Sequence, residues 1–193
     1  MNVEPQYRIA LLNALEESIQ ALIKLEIEQE IADARSRGEA WVGSWTVASV
    51  QAELSQGSTL VALGQHDHRL KAFLCFRPPG PLWEIMLIVT LGPIRGHRLA
   101  GTLIDSLFSH IESIQSAGSA PHVVDSATIE APAIEVGLEV SADNLSALRC
   151  YERCGFIEQR RRKGYYSGSV SGPIDAVLMS ARRQRYTGRL VKQ

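Results

Sequence analysis

The chain has 193 residues, 45% of them hydrophobic, and its 20 basic and 21 acidic side chains leave a net charge of -1. A chain of this length buries roughly 70% of the surface its unfolded form exposes, so one soluble domain with its own core is expected, without disulfides or a structural metal as staples. The balance of charge argues against a dedicated nucleic-acid binder. No apolar run approaches membrane-spanning length, and Met1-Asn2-Val3-Glu4-Pro5 has neither the basic segment nor the apolar stretch of a secretory signal, so a cytoplasmic protein is expected.

In chain order, residues 7–12 read as a first strand, and Asn13 with Glu16 resembles a capping box that opens a long helix to about Arg37. Residues 38–44 form a loop and 45–54 a short helix. Residues 58–63 and 70–77 suggest a hairpin turning at 64–68, and Pro78-Pro79-Gly80-Pro81 breaks the chain before a strand over 83–89. Leu99, Leu103, Leu107, Ile111 and Ile114 then recur at helical spacing up to about Gly118. A long connection over 119–132, with room for a small strand near Val123, leads into a strand over 134–140. That connection enters the amino end of the strand, away from where ligands gather. Alternation of Ile134, Val136, Leu138 and Val140 puts Glu135, Gly137 and Glu139 on the other face. Asp143 can cap a helix over 144–153 that stops at Gly155. No repeat or interdomain linker is visible, so 1–193 reads as a single domain with a core over about 7–182 and a basic tail over 183–193.

Two stretches carry chemistry. In the first, a strand feeds through Leu91-Gly92-Pro93-Ile94-Arg95-Gly96-His97-Arg98 into the helix beginning Leu99-Ala100-Gly101. Unpaired backbone N–H groups and the positive end of the helix dipole make such a turn an anion site suited to a pyrophosphate, and Gly96, Ala100 and Gly101 are small enough to let phosphates approach the backbone. His97 is read as facing solvent. In the second, the strand-turn-helix over 137–156 sets the Glu139 carboxylate, the Asn144 amide and the Tyr151 phenol where all three can reach one crevice. That combination suits acyl transfer. A carboxylate can accept a proton from an attacking group, and a phenol can give one to a leaving group. The bland alternatives are a glutamate paired with a nearby base, a helix-start amide and a core aromatic.

Cys75, Cys150 and Cys154 lack the partners of a zinc site and read as free thiols; His66, His68, His110 and His122 have no ligand spacing, so no metal is expected. Arg160, Arg161, Arg162 and Lys163 with the basic tail read as a solvated strand edge; electrostatic docking on a phosphate-bearing partner is the other reading, and direct nucleic-acid binding is not expected.

Together, in this order and one helix apart, the two stretches resemble the GNAT superfamily of acetyl-coenzyme A (acetyl-CoA) dependent N-acetyltransferases. The loop from Arg95 to Ala100 matches that superfamily's Gln/Arg-x-x-Gly-x-Gly/Ala pattern except that Arg98 stands where glycine is usual. The likeness is greatest to the bacterial ribosomal-protein N-terminal alanine acetyltransferases. It is carried by Leu138-Glu139-Val140, Asn144 and Leu148 to Phe156, with Leu148-Arg149-Cys150 departing from the usual spacing residues. It continues through Arg162-Lys163-Gly164-Tyr165-Tyr166 and Asp175-Ala176-Val177-Leu178-Met179, touches Trp45, and spans about 7–182.

The resemblance implies an α/β fold: a mixed, mostly antiparallel sheet flanked by helices, in which strands 83–89 and 134–140 are parallel and splay to admit the coenzyme. It implies acetyl-CoA as co-substrate. The backbone of Ile88, Val89 and Thr90 would pair with the pantetheine arm like an added strand, Asn144 would hydrogen-bond the same arm, and Arg95, Gly96, His97, Arg98, Leu99, Ala100 and Gly101 would hold the pyrophosphate. Arg98 would either crowd that group or clamp it. Glu139 would be the base and Tyr151 the acid of a direct transfer in a ternary complex, with Cys150 and Cys154 dispensable. The acceptor it implies is a protein N-terminal amine, such as that of a ribosomal protein, in a groove lined by 38–44 and by 164–173, the latter mobile by its Gly/Ser content, with Tyr165 and Tyr166 at the entrance. Acetylation of a small amine or a lysine side chain, and a coenzyme-binding regulatory module without turnover, remain the alternatives; acyl-chain preference and oligomeric state are left open.

Overall fold

The computed structural model describes residues 7–39, 42–43, 45–78, 82–91, 98–117, 133–169 and 172–184. Strand β1 (Tyr7–Leu11) leads through a short 3-10 turn (Leu12–Ala14) to helix α1 (Glu17–Ser36), followed by α2 (Val47–Gln56), β2 (Ser58–Gly64), β3 (Leu70–Arg77), β4 (Trp83–Thr90), α3 (Leu99–Ala117), β5 (Ile134–Ser141), α4 (Leu145–Arg153), β6 (Ile157–Ser169) and β7 (Gly172–Arg183). All seven strands join one sheet in the order β1-β2-β3-β4-β5-β7-β6. Every pairing is antiparallel except β4 with β5. Parallel neighbours need a crossover longer than a hairpin, and α3 lies in it.

Helices cover both faces, which gives two cores. On one face Leu99, Leu103, Ile104, Leu107, Phe108 and Ile111 of α3 pack on Leu74, Ile85, Val136, Leu138, Val140, Val177 and Met179, joined by Tyr151 and Phe156. On the other, Ile23, Ile27 and Ile31 of α1 and Val50 and Leu54 of α2 cover Val61, Phe73, Leu87 and Val89. The i, i+4, i+8 spacing of the α1 isoleucines is the buried stripe that makes this segment a helix.

α1 starts later than the sequence suggests. Asn13 lies inside the 3-10 turn, Glu16 is the N-cap without a side-chain cap bond, and the Asn13–Glu16 capping box does not form. The apolar Leu12 is buried, and the turn that seats it consumes the residues the cap would need. A capping box does open α2, where the Thr46 side chain accepts from the Ser49 N–H and Ser49 Oγ accepts from the Thr46 N–H. α2 therefore begins at Val47, two residues after Trp45. Its Glu53 is 2% exposed and is paired with Arg77 of β3, Arg77 Nε donating at 3.0 Å.

One irregularity positions everything downstream. The β3–β4 register steps between Cys75↔Leu87 and Phe76↔Ile85, which makes Met86 an extra residue on β4. A bulge turns the strand's side chains over. Trp83 and Ile85 accordingly face the α3 core, whereas Leu87 and Val89 face the α1 core.

Candidate active site

The bulge sits where the two parallel strands part. β4 and β5 pair through Trp83↔Val136, Glu84↔Gly137 and Ile85↔Leu138, and their ladder ends there. Beyond that row β4 stays with β3 as far as Thr90↔Ala72, while β5 stays with β7 as far as Ser141↔Ala176. The carboxyl ends of the central strands thus diverge into a cleft, as the resemblance implies. At the seam itself a Cβ on Gly137 would run into Leu82 Cδ1, so that side chain would have to move for any larger residue. Of the three expected arm-binding residues, Ile88 packs half-buried on the α3 core, Val89 is 5% exposed in the α1 core, and Thr90 closes the β3 ladder. Their backbone runs along the cleft.

Leu91 N–H donates to the Lys71 carbonyl at 2.8 Å at the end of β4. Arg95, Gly96 and His97 lie outside the described residues. The rest of the expected anion loop is described: Arg98 is exposed and has φ +59°, in the left-handed region that glycine favours, and its carbonyl accepts the Thr102 N–H at 3.0 Å and the Thr102 hydroxyl at 3.2 Å. The glycine that the loop pattern lacks in sequence is therefore replaced by an arginine in a glycine-like conformation. Leu99 is core, and Ala100 and Gly101 are half-buried. A Cβ on Gly101 would meet Cys154 Sγ, just past α4, at 3.5 Å, an ordinary contact, so packing alone does not require glycine there.

Asn144, not Asp143, caps α4. Its Oδ1 accepts from Ala147 N–H at 3.2 Å and from Ser146 Oγ at 3.0 Å. The turn closed by Asn144 N–H on the Ser141 carbonyl uses up Asp143 and shifts the helix one residue on. With Oδ1 engaged, the amide nitrogen is the group that can meet a ligand carbonyl.

Glu139 points away from the α3 core, on the face opposite Leu138 and Val140, with its side chain 22% exposed. Oε2 accepts from Arg162 Nη1 at 2.9 Å, and Oε1 accepts from the Tyr166 hydroxyl at 3.4 Å. Burial, followed by the charge of Glu139, pushes the Tyr166 phenol up to about 12, so it holds its proton at neutral pH. Tyr165 stands edge-on to Tyr166 at 5.1 Å, and the Arg162 guanidinium lies 5.3 Å from the Tyr165 ring centre. Tyr151 belongs to the opposite core: it is 7% exposed, its ring 5.8 Å from that of Phe156, and burial raises its phenol well above the usual tyrosine value. Tyr166 is near enough to add to that rise. Glu139 and Tyr151 thus sit on opposite faces of the sheet, and the parted end of β4 and β5 is where the two faces meet.

Arg162 and Tyr166 reach Glu139 because 164–169 is strand rather than the mobile loop expected from its composition; β6 runs to Ser169, with steps in its register against β7 at Glu158/Arg160 and Arg162/Tyr166. Gly164 N–H donates to Asp175 Oδ1 at 2.9 Å inside that irregular stretch. The alternation of a short run does not reveal which residues of so bulged a strand face β5 across β7. Of the two expected acceptor-groove segments, 40–41 and 44 lie outside the described residues, as do 170–171. An open groove of about 470 Å³ between β1 and α3, lined by Ile9, Leu11, Thr102, Asp105, Ser109 and His110, contains none of the expected catalytic residues. Cys154, pushed up to about 11 by burial and by its neighbour Cys150, is a neutral thiol rather than a nucleophile near pH 7. Among the described residues no three His, Cys, Asp or Glu side chains gather where a metal would bind, and no helix is long and apolar enough to cross a membrane.

No known family profile and no curated protein matches the sequence. Solved structures do. The chain superimposes on the ribosomal-protein-S18-alanine N-acetyltransferase of Escherichia coli with a TM-score of 0.61 at 19% identity, over 97% of this chain and 99% of that one. A GNAT family acetyltransferase from Elizabethkingia anophelis with acetyl-CoA bound gives 0.60 at 11%, over 93% and 100%. A spermidine N-acetyltransferase chimera that includes Vibrio cholerae sequence gives 0.57 at 13%, over 92% and 95%. The chain has the GNAT fold.

Proposed function

We propose that this chain is an acetyl-CoA-dependent N-acetyltransferase that passes the acetyl group directly to an amine, with the N-terminal α-amine of a protein, such as a ribosomal protein, as acceptor. The observation that carries the reading is the cleft between β4 and β5, with a carboxylate at one face of the sheet and a buried phenol at the other. The residues present fit the coenzyme. An extended amide-bearing arm suits the backbone along 86–90 and the Asn144 amide nitrogen, and the start of α3 suits an anion. When bound, the coenzyme supplies an activated acyl group as its thioester.

The work left to the side chains is proton transfer and positioning. An ammonium has no lone pair, so Glu139, directly or through water, takes the proton that frees the amine for attack. Tyr151 keeps its proton at neutral pH, and its hydroxyl can donate a hydrogen bond that stabilises the departing thiolate from the coenzyme side. No covalent enzyme intermediate is needed, which agrees with the neutral state of Cys154. The fold is shared with acetyltransferases named for a protein N-terminus and for spermidine, and the reading favours the protein acceptor because of the motif around Glu139 and Tyr151. The test is mass spectrometry of products after incubation with acetyl-CoA and peptides that differ only in their first residue, beside a blocked peptide with an internal lysine and a polyamine. Acetylation at the α-amine with dependence on the first residue supports the proposal; acetyl-lysine or acetylpolyamine alone redirects it, and binding without product makes the chain a regulatory module.

A further inference from the structure

The base of the proposed reaction is already occupied by a cation. Glu139 pairs in register with Leu178 of β7, and Leu178 with Arg160 of β6, so Arg160 is the basic residue directly across from the carboxylate. The ion pair is nevertheless made by Arg162, two rows further along and opposite Ala176, which reaches diagonally back over β7 to Oε2 at 2.9 Å. Its side chain is 44% exposed, and its guanidinium also lies over the exposed Tyr165 ring at 5.3 Å. A pair this open to water is weakly held. An acceptor ammonium heading for Glu139 meets a carboxylate whose charge is already balanced, by a guanidinium that the Tyr165 ring also holds.

Resting on the transferase reading above, we propose that Arg162 is a positioning and selectivity residue: an exchangeable counter-ion that orients the Glu139 carboxylate between turnovers and gives it up to the acceptor ammonium while staying on the Tyr165 ring it already touches. No bond is made or broken in the exchange; one cation replaces another on the same carboxylate. Two consequences follow from charge alone. Competition with the guanidinium weakens ground-state binding of the protonated amine, and once the proton that Glu139 takes has passed on to water, the returning guanidinium keeps the carboxylate from holding the next ammonium too tightly. Without Arg162, a bare carboxylate grips the ammonium more tightly and holds it in the form that cannot attack. That is ground-state binding, which lowers KM without speeding the chemical step.

The experiment is steady-state kinetics of the full chain with saturating acetyl-CoA and an alanine-initiated peptide. Arg162→Gln, which keeps an N–H donor and loses the charge, should lower the peptide KM by about 3- to 10-fold and kcat by about 10-fold. Arg162→Lys should restore both toward the wild type, and Arg160→Gln should move neither. Tyr165→Leu, which removes the ring that holds the guanidinium once it leaves Glu139, should raise KM, and Tyr165→Phe, which keeps the ring, should bring KM back; this pair tests the exchange even where Arg162→Gln does not fold. A KM that stays or rises in Arg162→Gln, or a Tyr165→Leu enzyme indistinguishable from wild type, overturns the exchange while leaving the transferase reading intact. Absence of any peptide acetylation by the wild type overturns both.

Discussion

Replacing Arg98 by glycine should stabilise the protein, which is unusual for a substitution that deletes a long side chain. The backbone there has φ +59°, a conformation that costs a residue with a Cβ on the order of 1 to 2 kcal/mol. Glycine escapes that cost, but it also gains freedom in the unfolded chain, which offsets about 0.4 to 1 kcal/mol. The difference is a net gain of about 1 kcal/mol, or a rise in Tm of about 2 to 4 °C for a domain of this size. The side chain is exposed, so little packing is lost, and the two bonds from Thr102 to the Arg98 carbonyl hold the conformation in either protein. Arg98→Ala keeps the Cβ and removes the charge; it should melt with the wild type, which isolates strain from electrostatics. Calorimetric melting without coenzyme reads this directly. Arg98→Gly melting at or below Arg98→Ala would refute the strain argument. Titration with acetyl-CoA then asks a separate question: a phosphate clamp by Arg98 predicts weaker binding in both variants, by up to about 1.5 to 3 kcal/mol, whereas crowding predicts tighter binding in the glycine variant.

Glu139→Gln keeps the shape of the base and should cut the transfer rate by about 10² to 10⁴ with little change in acetyl-CoA affinity; an unaltered single-turnover rate at neutral pH would assign the proton to another group. Alanine at both Cys150 and Cys154 should leave turnover largely intact while costing about 1 kcal/mol in a denaturant melt, since Cys154 fills the space beside Gly101; an acetyl-cysteine trapped on either residue would contradict direct transfer. His110 packs edge-on to Phe76 at 5.8 Å, and burial lowers its pKa from 6.5. The unfolded chain therefore binds the proton more readily, so the stability this residue contributes is complete above about pH 6.5 and is lost as the pH falls through the lower folded value. Below pH 6.5 the Tm of His110→Gln should fall less steeply than that of the wild type, and parallel curves would exclude the effect.

What the sequence discloses follows from what is local. The hairpin of β2 and β3, the α3 stripe from Leu99 to Ile111 and the alternation that turns Glu139 away from the core all rest on neighbours within one element, and each appears as expected; Ile114, expected to end the stripe, is instead 44% exposed, beyond the reach of the sheet. Elements whose bounds depend on tertiary contacts are displaced: burial of Leu12 delays α1, and the turn at Ser141–Asn144 moves the α4 cap from Asp143 to Asn144. The partners of Glu139 were hidden most deeply. Arg162 reads as one of four solvated bases and Tyr166 as a loop residue, because their approach to the carboxylate depends on β6 being a long strand two positions away in the sheet, with extra residues that no periodicity marks.

The short seam between β4 and β5 also bears on how the chain folds. Three residue rows are all that tie β1–β4 to β5–β7, and within each half the pairings are antiparallel, those of β2–β3, β3–β4 and β6–β7 between strands adjacent in sequence. Such contacts close small loops and form early, whereas the parallel seam must wait for the ends of a far longer connection to meet. The helix in that crossover packs on β2, β3, β4, β5 and α4, and so bridges the halves more broadly than the sheet does. Truncating its buried leucines should therefore slow assembly of the two half-sheets more than it loosens either one, and the cleft would be the last feature of the native protein to take shape.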